Sequence, residues 1–293
     1  MTARRRMLIS PVLRALALCL VVSSPVRAHG DLHQKIEALT KQIDQEPTNG
    51  ELYLTRGELH RAHRDWNLAL ADYDRADRLN PKLAVTDLLR GLTLLASGPP
   101  EAAITALDRF LIRQPDHGEA RVARARASIK LGRHLAAAED FTRALAKMTA
   151  PKPEYYLERA QALALLGDAR IDDALRGLDE GIKTLGPIVT LELLAVELDL
   201  RKSKYESALA RLEQIAAQSA RKEMWLARRG EILERAGRPG DARREFAAAL
   251  AALETIPPQR RSTKATREME ARVRTALERL GAASNNSTGL ERP

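Results

Sequence analysis

A period of 34 residues constrains this chain more than any other feature. Gly57, Ala69, Tyr73, Ala76 and Pro81 stand at offsets 0, 12, 16, 19 and 24 within residues 50–83. Moving 34 residues on finds Gly91, Ala103 and Pro115, and 34 more finds Ala125, Ala137, Phe141 and Ala144. Helices approach closely only where the facing residues are small. Each period therefore reads as two amphipathic helices packed at small residues, with a turn at 63–65 and a proline ending the second. A unit this short cannot bury its apolar face alone, but stacked copies cover one another. The aromatic content of 3%, with abundant Ala, Leu and Arg, fits such packing better than a β-sandwich or an α/β enzyme.

The pattern of Tyr53, Gly57, Ala69, Tyr73, Ala76 and Pro81 resembles the tetratricopeptide repeat. The resemblance implies an all-α fold, a right-handed superhelical solenoid of about six helix-turn-helix repeats with capping helices at both ends. The repeats fall at 50–83, 84–117, 118–152, 153–188, 189–222 and 223–256. In repeat four Ala160 holds the tight position, but the next small residue, Ala174, comes two residues late, so a longer turn is expected at 167–172. Repeat five departs most, with branched Val196 where Gly or Ala is usual, followed by Ala208 and Leu212. Gly230, Ala242, Phe246 and Ala249 restore the pattern in repeat six. Ahead of the repeats, 29–49 reads as an N-terminal capping helix with Leu32, Ile36, Leu39 and Ile43 on one face. Behind them, 257–280 reads as a C-terminal capping helix with Met269, Val273, Ala276, Leu277 and Leu280 as its stripe, and 281–293 as a disordered polar tail.

Residues 1–28 read as a secretory signal peptide. Arg4, Arg5 and Arg6 precede an apolar run at 15–22, and Val26-Arg27-Ala28 is a processing site that would leave His29 first. The expected location is periplasmic or secreted. Arg14 and Pro11 leave an uncleaved anchor or a basic arm as the alternative. The segment holds five Arg and no acid, so its removal leaves 43 basic and 39 acidic residues, a net of +4 rather than +9. Cys19, the one cysteine, leaves with it, and the mature chain then has no thiol chemistry.

No phosphate loop, nucleophile elbow, HExxH or cofactor motif occurs, which points away from an enzyme. One metal reading stays open: a mature His29 would offer amine and imidazole, and His33 lies four residues on, a spacing that can converge on copper. Two solvated histidines are the plainer interpretation. His60 stands where the resembled family places a packed aromatic, so a core role is expected for it. Arg precedes the tight residue in five repeats, at Arg56, Arg90, Arg124, Arg159 and Arg229, and an acid follows sixteen residues later at Asp72, Asp140 and Glu245. This reads as a structural ladder of exposed pairs, each contributing about 0–1 kcal/mol. Arg90 and Arg159 need other partners.

The function expected is a non-enzymatic, exported protein–protein interaction scaffold. In the resembled family the first helix of each repeat lines a concave groove, with positions five and nine of the repeat facing it. Position five here is Leu54, Leu88, Val122, Leu157 and Leu193, and position nine is Glu58, Leu92, Arg126, Gln161, Glu197 and Glu231. An apolar row bordered by mixed charge suits an extended peptide or an amphipathic partner helix; the same residues could instead fill gaps between neighbouring helices. The Lys and Asn residues with which some relatives clamp a terminal carboxylate are absent, so no such ligand is expected. Residues 221–280 hold fifteen Lys or Arg against nine acids, which suggests weak contact with anionic surfaces or a solvated basic face, and no nucleic-acid partner is expected.

Overall fold

In a computed structural model the backbone is described over residues 25–288 and the side chains over 31–282. Most of the expected signal segment, and the last five residues of the expected tail, lie outside this range. Among the described residues the chain forms fifteen α-helices, one 3-10 turn and no strand. It divides into two compact units, 1–93 and 94–293.

The first unit holds α1 (Pro25–Gln45), α2 (Gly50–His63), α3 (Trp66–Leu79) and most of α4 (Ala84–Ser97). Asn49 caps α2 by accepting from the Glu51 N–H at 3.2 Å. The helix ends where Arg64 turns left-handed, at φ 69°, and its N–H meets the Arg61 and His60 carbonyls. Pro81 follows the end of α3 directly at Asn80. At the crossing of α2 and α3 a Cβ on Gly57 would lie 2.6 Å from the Tyr73 ring, so the ring occupies the space the glycine leaves. Ile43 of α1 is buried, and α1 packs on α2.

In the second unit helices pair in succession: α5 (Pro100–Arg113), α6 (Gly118–Lys130), α7 (His134–Leu145), α8 (Pro153–Leu165), α9 (Ile171–Leu185), α10 (Val189–Arg201), α11 (Tyr205–Ala217), α12 (Lys222–Arg235) and α13 (Pro239–Glu254). A short α14 (Pro258–Arg261) leads into α15 (Lys264–Thr288), which packs on α13. The two-residue surplus of repeat four sits where expected: Gly167, at φ 108°, starts the 3-10 turn Asp168–Arg170.

The six alanines at the tight second-helix position, Ala69, Ala103, Ala137, Ala174, Ala208 and Ala242, are all fully buried. Repeat five keeps its packing by exchanging volume. Val196 and Leu212, both buried, replace the glycine-plus-aromatic pair of Gly230 and Phe246. The expected end of the C-terminal helix at residue 280 is corrected. No proline interrupts the chain between Pro258 and Pro293, and α15 continues to Thr288. It covers the last apolar surface with Met269, Val273, Ala276 and Leu280.

Gly230 tests this packing. Glycine to alanine inside a helix ordinarily stabilises by about 0.5–1 kcal/mol, but a Cβ here would sit 2.7 Å from the Phe246 ring. Overpacking costs about 1–3 kcal/mol and outweighs that gain. Gly230→Ala should therefore lower the melting temperature, whereas Gly240→Ala, with nothing within 4 Å of the new Cβ, should leave it unchanged or raise it.

Candidate protein-interaction surface

The first helices are fixed in place by arginine. Arg56 holds Asp72 with two parallel bonds (Nε–Oδ2 2.9 Å, Nη2–Oδ1 2.7 Å), and Arg124 holds Asp140 in the same way (2.7 and 2.6 Å). Arg229 reaches Glu245 at 3.4 Å. The expectation of exposed, weak pairs is corrected, because the Asp72 and Asp140 side chains are only 7% and 6% exposed. A buried carboxylate that loses its partner costs about 3–5 kcal/mol.

Three of the first-helix arginines also reach sixteen residues backwards, a relation that sequence reasoning missed. Arg56 donates to Thr40 of α1 at 3.1 Å, Arg90 to Asp74 at 3.0 Å, and Arg124 to Asp108 at 2.5 Å. Arg90 is completed by Asp87 at 2.9 Å. Arg159 lies over α9, donating to the Gly177 carbonyl at 3.0 Å and to Glu180 at 2.7 Å. Gly177 admits it, since a Cβ there would stand 2.8 Å from the guanidinium. In repeat five the polarity is inverted. The first helix has Ala195 where the arginine would be, and Arg211 of the second helix binds Asp199 at 2.9 Å, Asp179 at 2.7 Å and Glu192 at 3.6 Å.

The groove residues inferred from the sequence fall into distinct environments. In the first unit Leu54 is half-buried and packs against the cluster of Ala69, Tyr73 and Leu89; Leu88 and Leu92 are half-buried and Glu58 is exposed. In the second unit Val122 is 1% exposed and belongs to the core. Its place in a groove is therefore corrected: the neighbouring helices close over it. Leu157 is half-buried on the same core, Gln161 is exposed, and Leu193 is 36% exposed.

The bordering charges are paired between neighbouring first helices. Arg126 forks onto Glu158 (Nε–Oε2 2.9 Å, Nη2–Oε1 2.7 Å) and lies 5.5 Å from the Tyr155 ring centre. Arg228 joins Glu197 to Glu231, the latter at 2.9 Å. Glu158 and Arg228 escaped sequence reasoning, although opposite charges about one repeat apart on successive first helices were the available signal.

Beyond Glu231 the face opens into a groove of about 410 Å³ between α12 and α15. Phe246, Val273 and Ala276 contribute apolar lining, and Glu231, Glu234, Arg272 and Arg279 charged lining. Arg279 holds both Glu234 oxygens, at 2.7 and 2.8 Å. Leu193, Glu197, Arg228, Glu231 and this groove form one contiguous series within the second unit.

The expected pairing of His29 with His33 lies outside the described side chains, because that of His29 is not among them. His33 is exposed and pairs with Glu37 at 3.3 Å. His60 is buried, 3.9 Å from Asp72 and 3.7 Å from Asp65. Among the described residues no group of three His, Cys, Asp or Glu is placed to hold a metal, and no helix is long and apolar enough to cross a membrane.

Paired helices repeating in this register define an α-helical repeat protein of the solenoid class. The tetratricopeptide-repeat sequence profile matches residues 88–153 and 193–256, and those two stretches carry tetratricopeptide repeats. Among curated proteins no sequence match is found. A tetratricopeptide repeat protein from Parabacteroides merdae is 21% identical with a TM-score of 0.51, over 84% of this chain and 93% of that one. YrrB, described as a tetratricopeptide-repeat protein with an unusual peptide-binding site, is 20% identical with a TM-score of 0.53, over 62% of this chain and 92% of its own. PilW, a type IV pilus biogenesis factor, is 18% identical with a TM-score of 0.52, over 68% and 93%. At these identities the likeness establishes the fold.

The inverted node of repeat five carries a pH signature. Burial pushes the Glu192 carboxyl above its ordinary range, against the opposing pull of Arg211. A raised carboxyl binds its proton more readily folded than unfolded, so its contribution is most favourable at low pH and is lost as pH rises through the raised value. Glu192→Gln should therefore gain stability relative to the parent as pH rises from 4 to 8 in urea melts. An advantage that shrinks over that range would show the carboxylate to be net stabilised.

Proposed function

We propose that this chain is an exported, non-enzymatic scaffold that binds a protein segment along the first-helix face of its repeats. The observation that carries this reading is the contiguous series from Leu193 through Glu197, Arg228 and Glu231 into the groove of Phe246, Val273 and Ala276. An extended segment or amphipathic helix with apolar anchors and mixed flanking charge matches such a surface. The fold is one that YrrB uses around a peptide-binding site, which supports a peptide ligand here as well. The signal-like character of residues 1–28 supports export to the periplasm or beyond.

Affinity purification from the native envelope fraction tests the surface. Leu193→Glu should weaken capture of the co-purifying partner with helicity and melting unchanged, because burying one leucine is worth about 1.5–3 kcal/mol, or roughly ten- to a hundred-fold in affinity. Ile112→Glu, on the second helix α5 and 81% exposed, should leave capture intact. The reverse pattern would move binding off the first helices. The recovered chain should have a mass that begins at His29; retention of residues 1–28 would contradict export by cleavage.

A further inference from the structure

We infer that the second unit carries an anion site, independent of the groove, that takes a phosphate group borne on a small organic molecule. A cavity of about 400 Å³ lies where the start of α12, the end of α13 and the α14–α15 connection meet, and it shares no residue with the groove of α12 and α15. Its size is at the lower end of small-molecule pockets.

The charges around it do not cancel. Arg221 is neutralised by Glu223, the one acid in the lining, at 2.6 Å. Lys222 and Arg260 also line the cavity, and neither has an acidic partner within ion-pair distance among the described residues. Two uncompensated positive charges match a doubly charged anion. The backbone adds to them: α12 begins at Lys222 with no side-chain cap, so the first amides of the helix, at its positive end, are left for an outside acceptor. By contrast the start of α15 is already occupied, because Thr263 Oγ1 accepts the Thr266 N–H at 3.4 Å. The donors thus come from Lys222 and the Arg260 fork, both of which line the cavity. Donors that approach one centre from different elements suit a tetrahedral phosphate with several acceptor oxygens better than a planar carboxylate.

Free phosphate would leave most of the cavity empty, so the group is expected on a larger body, either a soluble phosphomonoester or a lipid headgroup. Titration calorimetry of the full chain with glycerol phosphate should show saturable binding tighter than that of inorganic phosphate. Lys222→Ala with Arg260→Ala, both exposed positions, should weaken it at least tenfold with unchanged circular dichroism. Arg243→Ala with Arg244→Ala, outside the cavity, should not. Flotation with phosphatidic acid vesicles separates the sources: recruitment that glycerol phosphate competes away supports the headgroup, and calorimetric binding without recruitment supports the soluble ester. Absence of saturable binding to either, or equal loss in both double variants, would overturn the site.

Discussion

In repeats one and three a buried carboxylate gripped by an arginine joins the two helices of the repeat and ties them to the helix before. Asp140 illustrates the constraint. It lies almost wholly inside the contact of α6 and α7, where an unpaired charge would be expensive, and Arg124 satisfies both its oxygens. The remaining amino group of that guanidinium reaches Asp108 of the preceding helix. Only an arginine can serve both, since its donors form a planar fork wide enough for a bidentate pair and a third acceptor. The small residues beside the node let the helices come close enough for the bonds to form.

The node is a pattern of charge rather than a fixed residue. Where repeat four has no acid, Gly177 supplies a carbonyl and the space to reach it. Where repeat five has no arginine on its first helix, Arg211 enters from the second and takes the buried Asp199. Both solutions satisfy the same buried polar requirement with different partners. The match is incomplete in places: one oxygen of Glu192, Nε of Arg159 and of Arg229, and one oxygen of Glu245 are buried without a hydrogen-bond partner.

Much of this was legible from spacing alone. The six buried alanines, the extra turn after Gly167 and the pairing of Arg56, Arg124 and Arg229 follow from residue type and interval, because the 34-residue period dictates which positions face each other. Partners set by the approach of different repeats were not legible. Val122 reads as a surface position by its place in the repeat, but the depth of the contact between neighbouring first helices seals it in the core. Arg211 was missed because the arginine pattern was read on the first helix of each repeat, whereas in repeat five the arginine stands on the second. The exposed row was overestimated because half-buried leucines and paired charges look alike in sequence. What remains accessible is narrower and better defined: Leu193, Gln161 and the groove beside α15, which paired charges border.

The central physical claim is that the arginine and the buried carboxylate act as one unit, and a double-mutant cycle on Arg124 and Asp140 tests it most directly. Urea melts of Arg124→Ala, Asp140→Ala and the double variant should show the two single losses summing to more than the double loss, with a coupling of about 0.5–3 kcal/mol. Losses that add to within about 0.3–0.5 kcal/mol would show the pair to be independent and would contradict the account.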